Sequence, residues 1–427
     1  MDFICGKRGE LNRIHNVFII IAFSIVILIL GFLIFSLIGE EEIYFAPPGS
    51  INFTSCGTID VSGYYALNAS LSSPSFTCIR IIANNTVFDG DFLYNITGDL
   101  TPGTSGIIVE ADNVTIKNLN VSKFSIGVNV VYANYTKVNN VGAINNSLAG
   151  INLNHSLFAN VTNNVVNLNN VGIAIDGGSN NSIGQNSIRG LTLALSTGIF
   201  AFQTVDNFLY SNQIFYNWYG AVIANSNGNY LLGNTISYSF VNGLFISDST
   251  LKNNIIRGGT VSYSSQDSVY VQSTDDVLFD GVAVSNGVTN FFDLEFSNVN
   301  RASLVNSSFG SYNFSFTDGT LLRVKKNDGE IKFLQPINGS GSNLNNDISI
   351  LYNLVSVNST KAGLNKSANV TLEWLPTNLT NQQVLRNGAP CPASICYNFT
   401  SLNAGTVLFN VIYCTNYSIS GISSPPP

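Results

Sequence analysis

The chain has 427 residues, of which 45% are apolar and only 10% charged, with a formal net charge of -7 and a pI near 4.8. This is too apolar for a disordered chain, and too poor in Lys and Arg on an acidic balance for a nucleic-acid binder. The length allows about two or three domains, and Asn, Ser, Thr and Gly stand where Lys and Glu would cover an ordinary surface, as suits the outside of a cell.

Residues 17–38 form an apolar run without a charge, preceded by Lys7, Arg8 and Arg13 and followed by Glu40, Glu41 and Glu42. At ~1.5 Å per residue the run is long enough for a bilayer core of ~30 Å. The basic flank stays inside. The run predicts a cytoplasmic tail over 1–16, a single-pass membrane anchor over 17–38 and an extracellular body. A cleaved signal peptide is the competing reading; the run exceeds a usual signal core and no small-x-small site comes after it. Cys5 is a lipidation candidate, although a lone cysteine beside a membrane is more often ordinary.

Residues 46–49 read as a short linker, and 46–105 as the N-terminal cap of a repeat. Short alternating segments separated by Asn, Ser and Gly read as strands. Cys56 and Cys78 lie one repeat apart in the sequence. Stacked strands are ~4.8 Å apart and a disulfide wants Cα atoms about 5.5 Å apart, so the pair is expected to staple adjacent coils. Five of the six cysteines lie beyond the apolar run, which leaves one unpaired or bridging two chains.

From Gly106 to about Phe314 one unit recurs. Gly106-Ile-Ile-Val is succeeded by openings at Gly127, Gly150, Gly172, Gly198, Gly220 and Gly243, then by weaker copies at Ser268 and Asn290. The spacing, roughly 21–26 residues, signals a solenoid over 106–321. Gly is expected at a corner, with the first and third residues after it pointing inward on a strand of period two. A second row, Asn118, Asn140, Asn164, Asn186, Asn212, Asn234 and Asn254, reads as an amide ladder between stacked turns rather than as a ligand site.

These Gly-Ile-x-Ile openings and Asn-x-Ile turns resemble the right-handed parallel β-helix repeat family, closest to its NosD-like and carbohydrate-binding-and-sugar-hydrolase group. The resemblance covers about half the chain. It implies three strands per coil, a packed apolar interior and ligands on the outer face.

The coils carry two features that bear on chemistry. Asp275-Asp276, with Asp280, Asp293 and Glu295 downstream, could do acid–base work on a glycosidic bond or hold Ca²⁺, the one cofactor this set allows. Against this stands an ordinary acidic turn before Val277. The carboxylate, histidine and basic sets of polysaccharide hydrolases and lyases with this fold are absent as sets; only His15 and His155 occur. Arg189, Arg257 and Arg301 are too scattered to assign.

The second feature is aromatic. The outward position two after each opening reads Ile108, Asn129, Asn152, Ala174, Phe200, Val222, Phe245 and Tyr270, with Trp218 and Tyr219 close by. Phe200, Phe245, Tyr270, Trp218 and Tyr219 form a candidate contact face for a polysaccharide or another surface protein, unless a loop or the C-terminal module covers it. Roughly twenty Asn-x-Ser/Thr sequons, among them Asn113, Asn134, Asn154, Asn180, Asn306, Asn358, Asn378 and Asn398, fit a glycosylated surface.

The charged stretch 322–330 breaks the repeat. Beyond it, alternating segments over 331–418 read as a small Ig-like β-sandwich, of a kind that resembles modules found behind such β-helices in exported surface proteins. Cys391 and Cys396 are a candidate short disulfide. A zinc site is not expected, because Cys414 alone would join them and no His is near. Residues 419–427 end Pro-rich, as a linker or tail.

The chain is thus expected to be all-β, a parallel β-helix plus a small sandwich on one N-terminal transmembrane helix. Its expected role is structural, adhesive or carbohydrate-binding at the cell surface, without an evident catalytic site. The alternative is a polysaccharide lyase or glycoside hydrolase acting on an extracellular glycan. Metal insertion, by analogy with the NosD family, finds no His cluster and a single Met.

Overall fold

The computed structural model describes residues 49–423, except 74, 191–195, 252, 286–290, 315–318 and 398. The expected tail 1–16, the apolar run 17–38, Cys5, most of the first linker, Asn398 and residues 424–427 lie outside the described residues. Among the described residues no helix is long and apolar enough to cross a membrane.

About 11 coils stack into a right-handed parallel β-helix with three faces. The first face runs from strand Gly57–Ile59 through Ala149–Asn154 and Thr197–Phe202 to Tyr312–Asn313. The second runs from Tyr64–Leu67 through Asn160–Thr162 to Leu321–Lys326, and the third from Leu71–Ser72 through Val165–Asn167 to Ala283–Ser285. Every pairing along the coils is parallel and in step, for example Ile151 on Ile173 and Ile173 on Ile199. Within the expected cap, residues 57–59 and 79–81 already carry the same register, Gly57 on Ile79 and Ile79 on Ile107. The coils therefore begin earlier than the glycine repeat suggested.

Alternation explains the strands. Ile107, Val109, Val128, Val130, Ile151, Leu153, Ile173 and Ile175 are fully buried, and all but Leu153 have the β-branched shape that suits a pleated surface stacked on copies of itself. Each side chain so buried is worth roughly 1.5–3 kcal/mol. Towards the C-terminal end the interior becomes aromatic. Phe279, Phe296 and Phe314 stack at 6.5 and 5.1 Å, with Phe309 edge-on to Phe279 at 5.6 Å.

The corners are made by residues other than the repeated glycines. Gly150, for example, lies second in Ala149–Asn154 and is buried. The turns are made by left-handed residues stacked in columns, such as Asn163, Gln185, Ser211 and Gly233 with φ of 57°, 56°, 51° and 61°. The amide ladder lies one residue later. Asn164 Nδ2 donates to Asn186 Oδ1 at 2.9 Å, Asn186 to Asn212 at 2.9 Å and Asn212 to Asn234 at 3.0 Å. Asn118 and Asn140 sit in the left-handed corner position instead, and the ladder position of their coils is held by buried Leu119 and Val141. Asn254 belongs to a second ladder, Asn207–Asn229–Asn254, on another corner.

The charged stretch after the coils is a junction. Leu321–Lys326 pairs in parallel with the last coil on one side and antiparallel with Gly329–Phe333 on the other. That antiparallel sheet continues through Ala368–Leu372 to Val407–Val411. A second sheet, of Ile348–Leu351, Leu354–Val357, Leu379–Arg386, Ala389–Pro390 and Tyr417–Ser423, packs over it. Leu322 and Val324 point into the core while Arg323 and Lys325 pair with Glu330 and Glu373. The last coil is pinned by Tyr312, whose buried hydroxyl donates to Asp347 Oδ2 at 2.9 Å; Asp347 also meets Lys361 at 3.6 Å.

Candidate functional site

Parallel register turns one outward position of the first face into a straight row. It reads Thr58, Arg80, Ile108, Asn129, Asn152, Ala174, Phe200, Val222, Phe245, Tyr270, Glu295 and Asn313. Phe200, Phe245 and Tyr270 lie in this row as expected. They are half-buried, because they lean on one another and on their neighbours. Phe245 stacks on Tyr270 at 5.4 Å and meets Tyr219 at 6.4 Å, while Phe200 stacks on Phe202 at 6.1 Å. Trp218 stands beside Phe240 at 6.3 Å. Buried Val222 separates Phe200 from Phe245, so the aromatic surface has two patches. Around the adjoining corner Tyr216, Tyr238 and Tyr263 stack at 5.0 and 4.9 Å. All three hold left-handed backbone, a conformation that costs a bulky residue roughly 1–2 kcal/mol.

Near the end of the row stand two acids, Glu295 within it and Asp267 beside it, that the residue pattern did not single out as a pair. Glu295 sits in register with Tyr270, its Oε1 accepting from Asn313 Nδ2 at 3.1 Å. Buried Asp267 lies within hydrogen-bonding reach and accepts the Phe292 N–H at 2.8 Å. Burial, and then the neighbouring Asp267 carboxylate, push the Glu295 carboxyl up to about 7, and burial raises Asp267 as well. Continuing the outward row would have found Glu295, but the copy expected at Asn290 is displaced. Leu294, not Phe291, pairs with Val269.

A raised carboxyl favours the fold while protonated. The Glu295 contribution is complete below its unfolded value near 4.5 and is lost as pH climbs through about 7. Glu295→Gln keeps the neutral shape at every pH. It is therefore expected to melt above the wild type at about pH 8 and level with it at about pH 3.5, below the unfolded value; equal melting temperatures at both pH values would contradict the assignment.

The four acidic candidates do not assemble. Asp275, Asp276 and Asp280 lie within the strand Val269–Asp280, where left-handed Ser273 bends the chain from the first face to the second; the expected turn is a bend inside that strand. Asp275 accepts from Asn300 Nδ2, Asp276 faces Arg301 at 3.4 Å, and Asp280 pairs with Arg257 at 2.8 Å. Asp293 is buried and accepts the Ser311 N–H at 3.0 Å. Arg257 also covers the Tyr230 ring and Arg189 the Tyr216 ring, at 5.7 and 5.1 Å.

Both expected disulfides form. Cys56 and Cys78 join adjacent coils with Cα atoms 4.6 Å apart, and Cys391 and Cys396 close a short loop at 6.0 Å. Cys414 is buried, and burial pushes its thiol up to about 12.

Residues 81–242, less than half of the chain, match the family model described as periplasmic copper-binding protein (NosD). No curated protein matches the chain. Among solved structures, the A-module of mannuronan C-5 epimerase AlgE6 from Azotobacter vinelandii is similar at 14% identity and a TM-score of 0.40, over 66% of this chain and 84% of that one. The periplasmic alginate epimerase AlgG is similar at 15% identity and 0.39, over 58% and 76%. The tailspike protein gp49 from Pseudomonas phage LKA1 is similar at 12% identity and 0.42, over 82% and 67%. These likenesses are of fold alone. Among the described residues the donors do not gather into a copper centre. Four cysteines are oxidised, Cys414 is buried, His155 stacks on Tyr132, and no three His, Cys, Asp or Glu gather among the described residues. What the chain carries is a right-handed parallel β-helix, of which residues 81–242 match the NosD family model.

Proposed function

We propose that this chain is a glycan-binding protein of the cell surface, held by the apolar run 17–38 with its body outside, and that the aromatic stretch of the first face is where an extended glycan lies. The observation that carries the reading is the in-register row Phe200 to Tyr270 on a rigid sheet. The half-exposed rings of its two patches, Phe200 with Phe202 and Phe245 with Tyr270, offer flat apolar surfaces to the C–H faces of sugars along one chain at little entropic cost. The steps from Phe200 to Glu295 span ~19 Å at ~4.8 Å per coil, the length of a short oligosaccharide.

Binding is favoured over cleavage. The candidate carboxyls are engaged singly, Asp275 by Asn300, Asp276 by Arg301 and Asp280 by Arg257, and not paired across a common opening. The test is to present the full chain, in mild detergent, with neutral and acidic polysaccharides, with and without Ca²⁺, and to measure retention and new reducing or unsaturated ends. Retention without new ends is expected, weakened about tenfold by Phe245→Ala or Tyr270→Ala. Retention indifferent to both substitutions would refute the assignment of the face, and new chain ends would make the protein an enzyme.

A further inference from the structure

The outward row does not stop where its aromatics stop. Five coil steps from Phe200 towards the N-terminus, ~24 Å at ~4.8 Å each, it reaches Arg80. There a groove of about 410 Å³ opens, floored by Thr58, Arg80 and Ile108 and walled by Phe76, Glu110 and the Cys56–Cys78 bridge. That volume falls at the lower end of small-ligand sites, ~300–1,000 Å³. Its backbone is fixed by the disulfide between adjacent coils. Phe76 is 55% exposed, a large ring left open beside polar groups. Arg80 Nε donates to Glu110 Oε2 at 2.5 Å, and Glu110 is its one bonded partner among the described residues.

We propose that this groove is a second subsite, one that takes a neutral sugar unit of the same glycan; the proposal rests on the glycan reading of the aromatic row. The chemistry is specific. A guanidinium offers only donors and a carboxylate only acceptors. Side by side they match neighbouring sugar hydroxyls, each of which both donates and accepts. Phe76 supplies the apolar face that a pyranose C–H surface needs. Charge selects against an acidic sugar. Arg80 is already compensated by Glu110, so an incoming carboxylate gains little from the cation that it does not lose to the anion beside it. One chain reaching both the groove and the aromatic patches is held at two points, and the second contact is then intramolecular.

The test uses the full chain in mild detergent and titration calorimetry with cello-, malto-, manno- and galacturono-oligosaccharides of about ten units, chosen to cover the eight coil steps, ~38 Å at ~4.8 Å each, from Arg80 to Tyr270. At least one neutral oligosaccharide is expected to bind. Phe76→Ala and Glu110→Gln, both at exposed positions, are each expected to weaken it about tenfold with unchanged melting temperature. If Tyr270→Ala weakens that oligosaccharide while the groove substitutions leave it unchanged, the groove is not a subsite and the aromatic reading stands. If the groove substitutions weaken it and Tyr270→Ala and Phe245→Ala do not, the groove stands and the aromatic reading falls. Tighter binding of the oligogalacturonate than of any neutral oligosaccharide, dependent on Arg80, would overturn the neutral class, and binding of none of the four would overturn both sites.

Discussion

Asn212→Ala is expected to cost about 3–5 kcal/mol, although it removes only a small polar side chain. The residue is wholly buried. Its Oδ1 accepts the Asn186 N–H at 3.1 Å and the Asn186 Nδ2 at 2.9 Å, and its Nδ2 donates to the Ile183 carbonyl at 2.8 Å and to Asn234 Oδ1 at 3.0 Å. Alanine leaves a backbone N–H and a backbone carbonyl stranded inside a dry corner, each at roughly 1–3 kcal/mol, and interrupts the ladder between its neighbours. Gln213, the next residue, is exposed on the outside of the strand Gln213–Phe215, and Gln213→Ala should stay within about 0.5 kcal/mol. Urea unfolding of both variants checks the contrast. Equal midpoints would mean that the ladder is ornamental and that inward Ile and Val alone hold the stack.

The legible part of the fold is the part that residue spacing encodes. Alternation gives the face of a residue, so the inward rows and the outward placement of Phe200, Phe245 and Tyr270 can be read directly. Depth within a corner cannot. A left-handed corner residue and the buried amide after it are one position apart, and both favour Asn; hence Asn118 and Asn140 fall one residue off the ladder. Unequal coils add to this. Asn181 lies only five residues before Asn186 yet serves a different corner, in the ladder that runs on to Asn254. Contacts that depend on a particular coil length are hidden too. Arg80 meets Glu110 across a coil of 28 residues, in which Arg80 is paired with Ile108, and Glu295 reaches Tyr270 through a copy that has lost its glycine. The charged stretch after the coils reads as a boundary if Lys and Arg are merely counted; their alternation with Leu322 and Val324 makes it a strand shared by both modules.

Gly172→Ala is expected to be as damaging as the loss of a ladder amide, for the opposite reason. Nothing is removed; one methyl is added. A Cβ at Gly172 would stand 2.5 Å from the Gly198 carbonyl oxygen of the next coil and 2.5 Å from Ile188 Cγ2 on the third face. A side chain can turn away, but the carbonyl belongs to a parallel ladder held on both sides and cannot. Overpacking in a good core costs roughly 1–3 kcal/mol and more where backbone must move, so about 3 kcal/mol is expected here, with the next coils partly unstacked. Because the carbonyl is the obstacle, Ile188→Ala in the same chain should not restore stability. Gly233 is the proper control. It lies in a corner with φ of 61° and open space around it, so Gly233→Ala pays only for left-handed backbone, about 1 kcal/mol. Thermal melting of the three variants separates two kinds of glycine that the repeat presents alike, one needed for its conformation and one for its missing side chain. Rescue of Gly172→Ala by Ile188→Ala would show that interior packing, and not the approach of successive coils, fixes glycine at the opening of each repeat.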